Sequence, residues 1–386
     1  MTIVAIAKQE TYNHYEIKEK LNDMLESIDI LEKISNCSVL IKPNCTGIFS
    51  PEEGRTTHPI VLEALIEVLQ HANATVIIGE SSSVNIDTLI AYEKTGVKNI
   101  AEKQGIKLID FKTSKYYKID VENKYILNKI LLPQEVLDAD YIISLAKMKT
   151  NYVTTISCSL KNLKGLLLDN QKKQFHHIGL SEAVADLFSV VKNNTKSIAI
   201  VDGILGSELY EPRKGGVLIA STDFVASDSI CAEIMGVKPT DVKHLKLAYE
   251  KGLGEIDIDK ITIYGDALFS VNPPFISTPY GLKYMEKEFG VNIIDGNPCS
   301  TCIGGLYLGL KKIKTTKPEL LKEGLRIAVG DCRCIDNSAT TIYYGVCSHQ
   351  EGDDGLYVAG CAPTSSDLIE IIENIRDNKN GKINRR

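Results

Sequence analysis

Six of the chain's ten cysteines crowd into its last quarter: Cys299, Cys302, Cys332, Cys334, Cys347 and Cys361. The other four, Cys37, Cys45, Cys158 and Cys231, are scattered. The opening residues, MTIVAIAKQETYNHYEIKEK, lack a basic lead, a long apolar stretch and a small-residue cleavage site, so a cytoplasmic location is expected. Disulfides rarely persist there, which leaves metal binding or thiol chemistry for a cysteine cluster. Cys299-x-x-Cys302 precedes Gly304-Gly305 and an amphipathic run, so both thiols are expected at a helix N-terminus, where the dipole and free amides favour thiolate. Cys361 lies in Gly360-Cys361-Ala362-Pro363, directly before Thr364-x-x-Asp367, a capping box that opens the last helix. Cys347 follows the strand-like TIYYG, and Cys332-Arg333-Cys334 follows RIAVG, so turns at strand ends present these thiols too.

Four cysteinates complete a 4Fe-4S cube, and the expected ligands are Cys299, Cys302, Cys347 and Cys361. Cys332 and Cys334 could replace one of them, serve a second centre or form a redox dithiol. Structural zinc is the alternative, with His349 as a substitute ligand. The later cysteines stand singly beside glycine rather than in paired knuckles, which favours the cluster.

A second constellation is cationic. Lys147-Met148-Lys149-Thr150 ends a strand-like run, and Lys161-Asn162-Leu163-Lys164-Gly165 follows VTTIS. Lys147 and Lys149 at i, i+2 share one side of an extended segment, and Lys161 and Lys164 share a helical face. Lys42 closes another strand, Glu80 and Ser81 a third, Asp202 a later one, and Asp223 and Asp228 lie just beyond. These residues suit an anion site holding a carboxylate or phosphate. Lys147, Lys149, His58 and Asp202 are the catalytic candidates, and Lys42, Glu80, Ser81, Lys161 and Asn162 the binding ones. His58 before Pro59 has a plainer reading as a helix cap, and Asp202-Gly203 as a turn. His176-His177 read as strand neighbours, so one at most faces any site.

The elements that would position these groups alternate. IVAIA, VLI, TVIIG, YIISLA and SIAIVDG are strand-like, with helical periodicity over 16–34, 61–69 and 224–235 between them. That pattern predicts an α/β fold: a doubly wound, mostly parallel sheet followed by a smaller cysteine-rich α/β domain. Residues 111–132 alternate and suggest a hairpin beside the main sheet. Two prolines and several turn residues at 266–280 suggest domains of 1–270, anion-binding, and 271–386, cluster-binding.

With 386 residues, a net charge of -6 and no tryptophan, the chain has no global attraction for nucleic acid and few bases' worth of stacking surface. No apolar run of about 18 residues exists to span a bilayer. There is no phosphate loop of the G-x-x-x-x-G-K type, no dinucleotide fingerprint after the first strand and no nucleophile elbow.

Taken in order, Ile41-Lys42-Pro43-Asn44, Thr56-Thr57-His58-Pro59, Gly79-Glu80-Ser81, Ala139-Asp140, Lys147-Met148-Lys149-Thr150, Leu160-Lys161-Asn162-Leu163-Lys164-Gly165, Val201-Asp202-Gly203 and Asp223 to Asp228 resemble the domain-of-unknown-function 362 family. The resemblance spans most of the first 240 residues and implies an iron–sulfur protein. Asn151 stands where members usually carry histidine. Gly360-Cys361-Ala362-Pro363 is similar to family variants ending in Gly-Cys-Pro-Pro, which implies one cluster.

The expected function is thus an iron–sulfur enzyme, an oxidoreductase or lyase using its cluster for redox or Lewis-acid chemistry on a small anion. A non-catalytic electron-transfer protein and a zinc-stabilised transferase or racemase are the alternatives. Expected partners are the small anionic substrate, a redox partner such as ferredoxin, and a second copy in a homodimer, with no nucleic acid and no membrane.

Overall fold

The computed structural model describes residues 2–151, 153–271, 274–275, 282–321, 324–332, 341–348, 356–361 and 363–377. The chain forms two compact units, Met1–Ser277 and Thr278–Arg386.

In the first unit the strands are β1 (Thr2–Lys8), β2 (Ser38–Pro43), β3 (Thr75–Glu80), β4 (Lys107–Asp110), β5 (Tyr116–Asp120), β6 (Lys129–Pro133), β7 (Tyr141–Asn151), β8 (Thr155–Ser157), β9 (Lys196–Glu208), β10 (Glu211–Ser221) and β11 (Ile261–Gly265). The main sheet runs β11-β1-β10-β9-β7-β2-β3-β4, with β8 added to β7. Its pairs are parallel except where β10 meets β1 and β9, and where β8 turns back on β7. The segment 111–132 contains the first strand of a separate antiparallel pair, β5 with β6.

The strands are buried on both faces, so their side chains alternate between two cores. Leu40, Ile142, Ala146 and Val201 pack on one face with the helices Leu180–Asn194 and Phe224–Met235. Val39, Ile41, Ile143, Leu145 and Ile200 face the other, under the helices His14–Ser27 and Pro59–His71. This is the doubly wound arrangement. Parallel pairing of β3, β2, β7 and β9 sets their carboxyl ends side by side, so Glu80, Lys42, Lys147 and Asp202 reach one edge.

The second unit is built on β12 (Asn292–Gly296), β13 (Arg326–Gly330), β14 (Thr341–Tyr344) and β15 (Leu356–Val358), paired in that order and all parallel. Register aligns Gly296 with Gly330, Val329 with Tyr344, and Tyr344 with Val358. The helix Ser300–Thr316 packs on Ser365–Asp377, where a side chain at Gly309 would strike Leu368. Thr364 and Asp367 cap the latter reciprocally: Asp367 accepts from the Thr364 amide at 3.0 Å and Thr364 Oγ1 from the Asp367 amide at 3.2 Å.

Candidate metal centre and anion site

Strand register explains how distant cysteines come together. β12, β13, β14 and β15 end level with one another, and Cys299, Cys332, Cys347 and Cys361 follow those ends by two or three residues. Cys299 is the N-cap of the helix Ser300–Thr316, which places Cys302 in its first turn. The Val346 amide donates to Gly360 O at 3.1 Å, which ties the turn bearing Cys347 to the one bearing Cys361. A Cβ on Gly345 would lie 3.4 Å from Cys302 Sγ and 3.6 Å from Gly360 O, so Cys302 abuts both turns. Gly345 has a φ of 96°, a left-handed conformation that glycine adopts without strain. Tyr344 Oη donates to Pro363 O at 3.0 Å and holds the Cys361 turn from below.

The neighbouring thiols oppose the ionisation of Cys302 and Cys347. Cys302 is pushed up first by its hydrogen bond with Cys299, then by burial, and then by the charges of Cys299, Cys347 and Cys361. Cys347 is raised by burial and by Cys361 and Cys299. Thiolates gathered this way call for a cation, and an all-sulfur donor set suits zinc or an iron–sulfur cluster. Cys302 is buried, Cys299 half-buried, and Cys347 and Cys361 exposed. Cys332 turns aside, with its sulfur 3.4 Å from Val329 O and 3.7 Å from Ile294 O. Cys334 and His349 lie outside the described residues.

In the first unit the cationic candidates separate into two groups. Lys147 and Asp202 form a fully buried pair at 2.7 Å. Tyr12 completes it, accepting from Lys147 at 2.9 Å and donating to Asp202 Oδ1 at 3.1 Å, while the His58 amide donates to Asp202 Oδ2 at 3.0 Å. The His58 ring stacks on Tyr12 with centroids 3.6 Å apart, and its Nδ1 accepts from the Ile60 amide. Burial holds its pKa down at about 4, so it is a neutral helix cap near pH 7. Asp202 lies within β9, not in a turn.

Lys42 and Glu80 make the second buried pair, at 2.5 Å. Glu80 also accepts from the Ser81 amide at 2.9 Å and the Cys45 amide at 3.3 Å. Lys172, with no motif around it, donates to Ser81 O, Ser81 Oγ and Ser82 O at 2.6–2.8 Å. These contacts complete the Glu80-Ser81 turn.

Lys149 and Lys161 behave differently. Each is half-buried, and among the described residues no carboxylate pairs with either. Lys149 donates to Asn44 Oδ1 at 2.7 Å and Arg55 O at 2.9 Å. Lys161 donates to Thr154 Oγ1 at 3.0 Å. Burial, followed by the charges of Arg55 and Lys147, lowers the Lys149 pKa to about 7. Burial, Lys164 and Lys149 depress that of Lys161. Lys164 sits 2.8 Å from His176 Nε2. His176 and His177 lie in the helix Asp169–Ile178 rather than a strand; His176 is half-buried against Lys164 and His177 is exposed. Asn162 braces the cluster, donating to Lys42 O at 3.2 Å and Ser144 Oγ at 3.0 Å and accepting from Asn44 Nδ2 at 2.9 Å. Asn151, at the position of the family's usual histidine, organises the turn between β7 and β8 by accepting from Val153 N and Thr154 N.

Asp228 anchors the segment that carries these lysines, accepting from the amides of Ser159 at 2.8 Å and Leu160 at 3.0 Å. Burial raises its pKa to about 7. With Cys158 and Cys231 it forms a buried group whose donor atoms lie within 4.8 Å of one another. A second, partly exposed group, His14, Glu63 and Glu67, is already engaged by Lys103 and Lys18. Tyr12, Arg55 and Lys172 are the members that sequence patterns do not mark, and Asn44 is marked only as part of the Ile41–Asn44 motif.

Two stability predictions follow from the buried pairs. A Cβ on Gly165 would fall 1.7 Å from Glu80 Oε1 and 2.6 Å from Lys42 Nζ, so Gly165→Ala should split that pair. Urea unfolding should show a loss of ~3 kcal/mol, the scale of a broken buried pair. Lys103→Ala removes the exposed lysine partner of Glu63 and should shift the urea midpoint far less. Asp202→Asn strands the Lys147 charge and should likewise cost ~3 kcal/mol, with a matching drop in the urea midpoint.

Among the described residues no helix is long and apolar enough to cross a membrane. The chain is 25% identical over 264 residues to the Thylakoid-associated protein sll1697 of Synechocystis sp., an alignment covering 65% of this chain and 79% of that protein. Among solved structures it is similar to the lactate racemase apoprotein from Thermoanaerobacterium thermosaccharolyticum, at 10% identity and a TM-score of 0.40. That match covers 60% of this chain and 56% of the racemase, and at this TM-score it bears on neither fold nor chemistry. The family model described as Domain of unknown function (DUF362) matches residues 39–233, half of the chain, from β2 into the helix Phe224–Met235, and the chain belongs to that family.

Proposed function

We propose that this protein is an iron–sulfur enzyme that acts on a small anion, a carboxylate or phosphate. The observation that carries the reading is the level ending of β12, β14 and β15, which brings Cys299 and Cys302, Cys347 and Cys361 to one edge of the second unit. The residues suit a 4Fe-4S cluster: the charges of Cys299, Cys347 and Cys361 all act on Cys302, which calls for a cation, and glycines beside them leave the backbone close. Bound there, such a cluster supplies electron transfer or Lewis-acid chemistry. In the first unit, Lys161 and Lys164 supply positive charge for the anion beside Lys149, and Asn44, Asn162 and Thr154 hold Lys149 and Lys161 in place. Lys147, Lys42, Asp202 and Glu80 neutralise each other and shape the edge. Among the described residues no cysteine forms a disulfide, which suits a reducing, cytoplasmic compartment.

The exposure of Cys347 and Cys361 favours a second reading, an electron-transfer protein that docks a redox partner such as ferredoxin.

Anaerobic purification followed by iron and acid-labile sulfide assay should find about four of each per chain. Zinc without sulfide would contradict the cluster. Phosphate, or a small dicarboxylate, should raise the melting temperature by about 3 °C or more at saturation, and Lys161→Ala should abolish most of that rise. If no anion stabilises the protein while a redox partner co-purifies, the electron-transfer reading replaces the enzyme.

A further inference from the structure

We propose that Lys149 is an amine nucleophile and that the anion it meets is an oxo acid, captured as a Schiff base. The inference rests on the anion reading above and names the substrate class for that site.

The lysines of this edge differ in how many hydrogens their neighbours demand. Lys172 meets three acceptors, Ser81 O, Ser81 Oγ and Ser82 O, which together use all three hydrogens of an ammonium. Lys147 and Lys42 each face a carboxylate. Lys149 has two acceptors, Asn44 Oδ1 and Arg55 O, both uncharged. A neutral amine has two hydrogens and one lone pair, so these acceptors satisfy it fully and turn the lone pair away from both. The Asn44 acceptor is fixed: its amide nitrogen donates to Asn162 Oδ1, and Asn162 donates in turn to Ser144 Oγ and Lys42 O. Burial and then the charge of Arg55, followed by those of Lys147 and Lys42, which are paired with the carboxylates of Asp202 and Glu80, disfavour its ammonium form, while Cys158 acts in the opposite sense. Desolvation beside other cations is an established way to make a lysine nucleophilic. Lys149 is half-buried, whereas Lys147 and Lys42 are buried. Lys161 lies close enough for its charge to couple with that of Lys149, and it supplies a cation for the substrate's carboxylate while the oxo carbon meets the amine.

The step balances without an added oxidant or reductant. The Lys149 lone pair forms a C–N bond to the carbonyl carbon, giving a carbinolamine. The former carbonyl oxygen leaves as water, taking one amine hydrogen and one proton from solvent. The iminium that remains keeps one N–H for Asn44 Oδ1 or Arg55 O.

The test uses the full chain with pyruvate or 2-oxoglutarate, borohydride reduction and intact-mass and peptide analysis. One reduced adduct at Lys149 is expected, lost in Lys149→Arg. A substrate-independent arm treats the wild-type protein with formaldehyde and cyanoborohydride. Lys149 should be methylated roughly tenfold faster than exposed lysines at pH 7, with a rate that rises through about pH 7 as the amine deprotonates. Asn44→Asp places a carboxylate on the amine and should cut that rate at least about tenfold. Stabilisation by either oxo acid with no adduct at Lys149, or labelling no faster than at surface lysines, would overturn the nucleophile and leave the anion site standing. With no adduct and no stabilisation by the oxo acids or by phosphate, both readings fall.

Discussion

Charge withdrawn from water must be answered by opposite charge, and that constraint shapes both units. At the carboxyl edge of the main sheet, parallel strands buried on both faces bring lysines and carboxylates out of solvent together. Lys147 with Asp202 and Lys42 with Glu80 answer one another within the protein. Lys149 and Lys161 have no carboxylate of their own among the described residues and rest on uncharged acceptors instead. The second unit shows the opposite sign. Cys299, Cys347 and Cys361 raise the cost of ionising Cys302, and Cys361 and Cys299 that of Cys347, so negative charge gathered there favours a cation.

The paired and unpaired lysines divide the work. The buried pairs, with Tyr12 and Lys172, hold the strand ends and turns in a single arrangement, at the desolvation cost that makes such pairs poor stabilisers but good positioners. Asn44 and Asn162 then link the rigid part to Lys149 by a chain of fixed amides. Asp228 performs the same service from the helix Phe224–Met235 by holding the amides of Ser159 and Leu160. Side chains far apart in the chain thus fix the cations relative to one another before any ligand arrives.

Much of the architecture was legible from pattern. Unbroken apolar runs such as YIISLA mark strands buried on both faces, and β7 and the doubly wound sheet follow from them. The cysteine turns were legible because each follows a short strand, and the Thr364–Asp367 cap because its spacing is specific. What pattern cannot supply is register. That Lys147 lies opposite Asp202 depends on how β7 pairs with β9, and that Tyr12 bridges them depends on a fold closing over 190 residues. Two i, i+2 lysines therefore look alike in sequence, yet one is neutralised and the other is not. His176 and His177 read as strand neighbours in sequence, yet they lie in the helix Asp169–Ile178, whose buried positions Gln171, Lys172 and Phe175 form no apolar stripe.

Cys299, Cys302, Cys347 and Cys361 hold the account together, and low-temperature electron paramagnetic resonance of the anaerobically purified, dithionite-reduced protein tests them most directly. A fast-relaxing signal from a reduced cluster, lost in Cys302→Ser and Cys347→Ser but retained in Cys332→Ser, is the predicted result. A colourless protein that stays silent on reduction and contains stoichiometric zinc would contradict it.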